Sequence, residues 1–149
     1  MGRFFEDFSV GEKLLTPGRT VGEGDISAFA GLVGDFTPIH MDEHYARTTR
    51  FGTRIAHGTL VMSVAIGLLT QLNVLGEGVI GLLNLHWDFK ATVKIGDTIH
   101  ARVTVEEARR TSKAGAGIVR FRFEVLNQDE VLIQQGNMTV MLRTRDAAA

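Results

Sequence analysis

Cysteine is absent from the 149 residues, so the chain has no disulfide framework, thiolate nucleophile, Cys-ligated zinc or iron–sulfur cluster. Charge of either sign is also not in excess. Sixteen Lys and Arg stand against 17 Asp and Glu, a formal net charge of −1. Proteins that bind nucleic acid by releasing counterions need a basic surplus, so the balance argues against that class. Met1-Gly2-Arg3-Phe4-Phe5-Glu6-Asp7 contains no apolar run of signal-peptide length, and Glu6 stands where N-myristoylation wants Ser or Thr. One stretch, residues 55–76, lacks Asp, Glu, Lys and Arg altogether. His57, Thr59, Ser63, Thr70, Gln71 and Asn73 interrupt it, which favours a helix buried in a soluble domain over a membrane span. What is present is ordinary for a folded protein: 44% hydrophobic residues, too many for disorder, on a chain of single-domain length. The expectation is one soluble, cytoplasmic domain over residues 1–149, with a frayed tail from about residue 144.

The pattern changes halfway along the chain. The first part predicts a strand over 13–21 and a helix over 25–33, with Ile26, Phe29, Ala30 and Val33 on one face. Gly34 closes that helix. Residues 35–40 read as a loop, 42–47 as a short helix and 58–75 as the long uncharged helix. From residue 79 the period becomes two, with Leu83, Leu85 and Trp87 alternating. Strands are predicted over 79–89, 98–108, 118–126 and 131–143, with turns at 94–97, 113–117 and 127–130. Four consecutive strands after a run of helices make an α+β fold, an antiparallel sheet around one central helix.

The chemistry falls in two places: Gly34-Asp35-Phe36-Thr37-Pro38-Ile39-His40, and Ile55-Ala56-His57-Gly58-Thr59. A carboxylate and an imidazole five residues apart on a proline-stiffened loop can converge on one water as an acid/base pair. Gly58, opening the long helix, offers an unpaired backbone N–H, the positive end of the helix dipole and no side chain. Such an end suits an oxyanion or enolate. Taken singly, Asp35 also reads as a helix cap, and His57 as a satisfied core or helix-entry histidine.

These segments, together with Tyr45-Ala46, Ser63, Trp87-Asp88-Phe89-Lys90 and Val93-Lys94-Ile95-Gly96-Asp97, resemble the MaoC-like dehydratases, the family of the (R)-specific enoyl-CoA hydratases. The resemblance runs from about Thr20 to Val105. It implies a hot-dog fold, a curved antiparallel sheet wrapped around a long helix. It also implies a hydro-lyase that hydrates trans-2-enoyl thioesters to (R)-3-hydroxyacyl thioesters and catalyses the reverse dehydration. By the same likeness Asp35 and His40 form the catalytic pair; which is acid and which base stays open. The Gly58 N–H matches the family's bond to the thioester oxygen, and Ser63 matches a serine that orients the aspartate. Coenzyme A, or an acyl carrier protein, arrives as part of the substrate, and no separate cofactor or metal is implied. Such domains pair sheet edge to sheet edge as homodimers.

Two positions depart from the family pattern. Thr37 stands where Asn is usual, and a hydroxyl makes fewer hydrogen bonds than an amide. Thr92 replaces a frequent proline. Three rival readings are weaker. His40-Met41-Asp42-Glu43-His44 matches the H-x-x-E-H zinc signature, which requires both histidines on one helix, whereas Pro38 places His40 in a non-helical loop. A thioesterase of the same fold carries a helix carboxylate, and residues 55–76 have none. A non-catalytic thioester sensor or partner subunit would not need both Asp35 and His40. Arg47, Arg50, Arg54, Lys90 and Lys94 are assigned no coenzyme A contact.

Overall fold

The structure, a computed structural model, describes residues 2–112 and 114–147. The predicted first strand is two pieces, β1 (Lys13–Leu15) and β2 (Arg19–Thr20). Pro17 lies between them, and proline cannot donate to a ladder. The chain stays attached across the break because the Thr16 N–H donates to the Ala101 carbonyl and the Ala101 N–H to the Thr16 hydroxyl. Helix α1 (Glu23–Val33) begins two residues earlier than the apolar period predicts. The Gly22 N–H donates to the Asp25 carboxylate there, satisfying a terminal donor. Gly34 ends α1 at φ 80°, a left-handed conformation that glycine adopts without cost.

The segment read as a loop corrects the sequence expectation. His40 lies in a four-residue helix, α2 (Pro38–Met41), with Pro38 in its first turn. Proline is favoured at that position because its missing N–H would have no partner there anyway. A second short helix, α3 (Glu43–Ala46), follows after Asp42, whose extended backbone separates the two. His40 and His44 therefore lie on different helices.

Helix α4 (Gly58–Thr70) carries the uncharged stretch and ends five residues before the predicted limit. Its last turns give way to Asn73 at φ 54°, a conformation asparagine tolerates. Leu60, Val61, Val64, Ala65, Leu68 and Leu69 are buried. They share one core with Ile99, Ala101, Val103, Val105, Val119, Phe121, Phe123, Met138 and Val140, drawn from three strands. The wrapping is one-sided, since Thr59, Ser63 and Thr70 stay exposed. Among the described residues no helix is long and apolar enough to cross a membrane.

The sheet comprises β1, β2, β3 (Val79–Phe89), β4 (Thr98–Arg110), β5 (Ala116–Leu126) and β6 (Leu132–Arg143). Its order is β1-β4-β5-β6-β3, antiparallel throughout, with β2 also pairing β4. Register shifts at Leu82/Asn84, Val105/Glu107 and Val125/Leu126 mark bulges, which bend strands and let a sheet curl over a helix. β4 runs past the predicted residue 108 because Arg109 and Arg110 still pair with Ile118 and Gly117. In the predicted 113–117 turn, Ala116 and Gly117 belong to β5, and Lys113 lies outside the described residues.

From the predicted tail, Arg145–Ala147 forms a 3-10 turn. Its Arg145 N–H donates to Glu6, and the Arg145 guanidinium pairs with Asp7. Ala148 and Ala149 lie outside the described residues.

Candidate active site

Asp35 follows directly on the glycine that stops α1, so its direction is set by that cap. Its carboxylate turns back on the chain: the Thr37 hydroxyl donates to Oδ1 at 2.6 Å and the Thr37 N–H donates to the same oxygen at 3.1 Å. Those two bonds, the hydroxyl's foremost, hold the Asp35 pKa below the usual aspartate value, with His40 and His57 adding a smaller pull. The usual amide at position 37 is thus replaced by a hydroxyl that is spent on the carboxylate itself. Both bonds use Oδ1, which leaves Oδ2 to meet an incoming molecule. Thr37→Val removes the larger of the two bonds while leaving the backbone donor. The Asp35 pKa then rises, so the acid limb of kcat/KM is expected to move to higher pH. The plateau near neutrality should fall by about an order of magnitude or less. A pH–rate profile of the variant beside wild type measures both.

His40 is oriented from the opposite side. Its Nδ1 lies 2.7 Å from the Ile55 carbonyl oxygen. A carbonyl only accepts, so Nδ1 carries the hydrogen and, in the neutral ring, Nε2 presents its lone pair. Ligand atoms of Asp35, His40 and His57 all lie within 4.8 Å of one another. Hydrogen bonds to water run to about 2.8 Å each, so a single water spans that separation.

The loop that brings Ile55 to His40 is held by a hub that the sequence did not mark. Glu43 accepts from the Arg54 N–H, the Thr53 hydroxyl and the Arg54 guanidinium. These bonds, the Arg54 backbone donor foremost, hold its pKa down at about 2, so it stays charged at any neutral pH. Arg54 also reaches Glu23 at 2.7 Å, tying the loop to α1. That arginine is therefore committed to the scaffold. The zinc-signature glutamate is likewise a structural anchor.

Gly58 opens α4, where its N–H has no carbonyl within the helix to meet. Its own carbonyl accepts from Gln134 Nε2 at 2.9 Å, and Gln134 Oε1 accepts from Trp87 at 2.9 Å. The buried glutamine thus fixes the helix start against β3 and β6. A Cβ at Gly58 would stand 2.9 Å from the Phe89 ring, so glycine is what lets the helix end and that ring approach. Ser63 is placed differently from the family likeness. It lies exposed on α4, and its hydroxyl donates to the Thr59 carbonyl at 2.8 Å rather than to Asp35.

His57 is the residue the sequence undervalued. It is 2% exposed, and its Nε2 lies 3.0 Å from the Asp35 carbonyl oxygen. The expectation of a satisfied core histidine holds for that nitrogen alone, because Nδ1 is buried with no hydrogen-bond partner among the described residues. The His57 ring stacks on His40 at 3.9 Å between centroids and 26° between planes. The only signal in the sequence is its place immediately before the helix-opening glycine. Imidazole lone pairs lie in the ring plane, so two stacked rings do not aim theirs at a common point. The trio is therefore poorly arranged for one shared metal ion, whereas a water, with its permissive angles, can be held between Asp35 and His40.

A curved antiparallel sheet on a long helix, with an aspartate and a histidine meeting beside the helix start, defines a hot-dog class of fold with a candidate acid/base site. Residues 7–125 match the family model described as MaoC like domain, and the chain belongs to that family. It is 41% identical over 143 residues to an (R)-specific enoyl-CoA hydratase of Rhodospirillum rubrum, covering 95% of this chain and 93% of that protein. The solved R-hydratase of Pseudomonas aeruginosa, in its unliganded form, superposes with a TM-score of 0.80 at 30% identity, covering 95% of this chain and 86% of that one. A Mycobacterium tuberculosis protein with a double hotdog fold matches with a TM-score of 0.87 at 25% identity, over 97% of this chain and 46% of its own length. The fold is accordingly the hot-dog fold that the resemblance implied.

Proposed function

We propose that this protein hydrates trans-2-enoyl-CoA thioesters to (R)-3-hydroxyacyl-CoA and catalyses the reverse dehydration. The observation that carries the reading is the spacing of Asp35 and His40: an ionised carboxylate and an imidazole with ligand atoms within 4.8 Å of each other, a gap that one water can bridge. Both groups accept in the resting state, so they hold the water by its two hydrogens. As its oxygen bonds to C3 of the enoyl group, one of the pair takes a proton, and C2 receives one in return. Water thus supplies both added groups, the hydroxyl at C3 and the hydrogen at C2. Negative charge moves onto the thioester oxygen during this step. The Gly58 N–H, at the positive end of the 13-residue helix α4, is the donor placed to meet it. Ser63 would line the substrate: its hydroxyl, having donated to Thr59, can still accept. Coenzyme A is the carrier favoured by the names of the relatives, with acyl carrier protein as the other.

The working unit in this reading is a homodimer. β3 stands at the edge of the sheet formed by the described residues, and Ile80, Leu82, Leu83 and Phe89 on it are 48–56% exposed. An unpaired edge with apolar side chains is open to a second copy of the same strand. The reading is tested with purified protein on a panel of enoyl-CoA thioesters. Loss of enoyl absorbance is followed, and the product is resolved on a chiral column. The expected product is the (R)-alcohol; an (S)-alcohol, or binding of every thioester with turnover of none, would overturn the proposal.

A further inference from the structure

We infer that His57 is a positioning residue of this site, a buried imidazole that fixes the Asp35 main chain through Nε2 and the His40 ring plane through its face. The inference rests on the hydratase reading for what is positioned, but its geometry stands independently. Three parts of the site meet at this one side chain. Nε2–H donates to the Asp35 carbonyl at 3.0 Å, which holds the peptide that carries the carboxylate. The ring face covers His40 at 3.9 Å. The residue itself is the N-cap of α4, directly before the Gly58 N–H.

The stack supplies what the His40 hydrogen bond lacks. One bond from Nδ1 to the Ile55 carbonyl fixes a point on the imidazole and leaves the ring free to swivel about it. A second ring packed face to face removes that rotation and so sets the direction of the Nε2 lone pair. Phe29, tilted at 57° with its centroid 5.1 Å away, packs against His57 in turn. Packing alone would be met as well by an apolar ring. The imidazole instead leaves Nδ1 buried without a partner among the described residues, an arrangement that is unfavourable for stability and therefore calls for another explanation. The other nitrogen, bound to Asp35, provides it.

Two substitutions separate the two contacts. His57→Phe keeps a ring against His40 and removes the donor; His57→Gln keeps an amide donor and removes the ring. In long-range 1H–15N spectra of the wild type, His57 is expected as the Nε2–H tautomer and His40 as the Nδ1–H tautomer. In His57→Gln the His40 ring signals should broaden as the ring swivels about its Ile55 bond, and in His57→Phe they should stay sharp. For both variants kcat on crotonyl-CoA is expected to fall about tenfold or more, with KM within about threefold. Wild-type kcat in both variants, with only the melting temperature lowered, would show a purely structural histidine. A wild-type spectrum with His57 protonated on Nδ1 overturns the inference without any variant having to fold. Absence of enoyl-CoA turnover in wild type would remove the hydratase reading, while the His57 tautomer in wild type and the His40 line widths in the variants still decide the role of His57.

Discussion

Asp35→Asn and His40→Ala are each expected to lower kcat for enoyl-CoA hydration by about 10²–10⁴-fold, the range for loss of a positioned acid or base. The two changes act on one water, so the double variant should be scarcely slower than the worse single one, as for residues that work as a unit. Asp35→Asn is nearly isosteric, and its amide oxygen can still accept from Thr37, so the fold should be little disturbed. It loses the negative charge that attracts a proton. His40→Ala also uncovers one face of His57 and frees the Ile55 carbonyl, so some loss of stability should accompany its loss of rate. Initial rates with crotonyl-CoA, read beside melting temperatures of all four proteins, check the prediction. A rate loss below tenfold in Asp35→Asn would show that the carboxylate takes no part in the chemistry.

The largest effect on stability is expected far from that site. Phe121, fully buried on β5, meets Phe8 edge to face at 5.5 Å and 80° and packs in the core beneath α4. Phe121→Ala removes a ring from close-packed surroundings that can collapse only in part, at a cost of about 3–5 kcal/mol. For a chain of this size that corresponds to a fall in Tm of roughly 10 °C. Chemical denaturation should give the same loss with little change in the denaturant dependence. Arg122→Ala, its exposed neighbour on the opposite face of β5, should stay within about 0.5 kcal/mol of wild type. Since none of the site residues lies on β5, Phe121→Ala should keep its kcat well below its melting temperature.

The parts of the architecture written in periodicity are legible in the residues themselves. The β3 limits match the alternation at 79–89, and the other long strands differ from expectation by one or two residues at their ends. An uncharged stretch of helix implies an apolar partner, and α4 lies on the sheet as that requires. Element ends are less legible. Pro17 splits the first strand, and Pro38 begins a helix where its effect on the preceding residue suggests a loop. Proline carries both meanings, and only the surrounding chain selects between them. The trailing residues 145–147 look unanchored in sequence because their partners, Glu6 and Asp7, lie at the other end of the chain.

The site divides along the same line. Asp35, His40 and Gly58 stand out in the sequence because residue types and short spacings carry their chemistry, and the family likeness rests on the same segments. Sequence alone also determined that no thiol takes part, that α4 bears no carboxylate, and that the four long strands lie in the second half of the chain. Tertiary structure decided the rest. It assigned the His40 tautomer through Ile55, engaged the Ser63 hydroxyl at Thr59, and made Glu43 an anchor of the loop. It also turned His57 from an ordinary buried histidine into the side chain on which Asp35, His40 and the start of α4 converge. The physical reason is that hydrogen-bond direction and ring stacking depend on distances between segments 15 and 22 residues apart. Local pattern says which groups a chain possesses, but only the packed fold determines which atoms of those groups face one another.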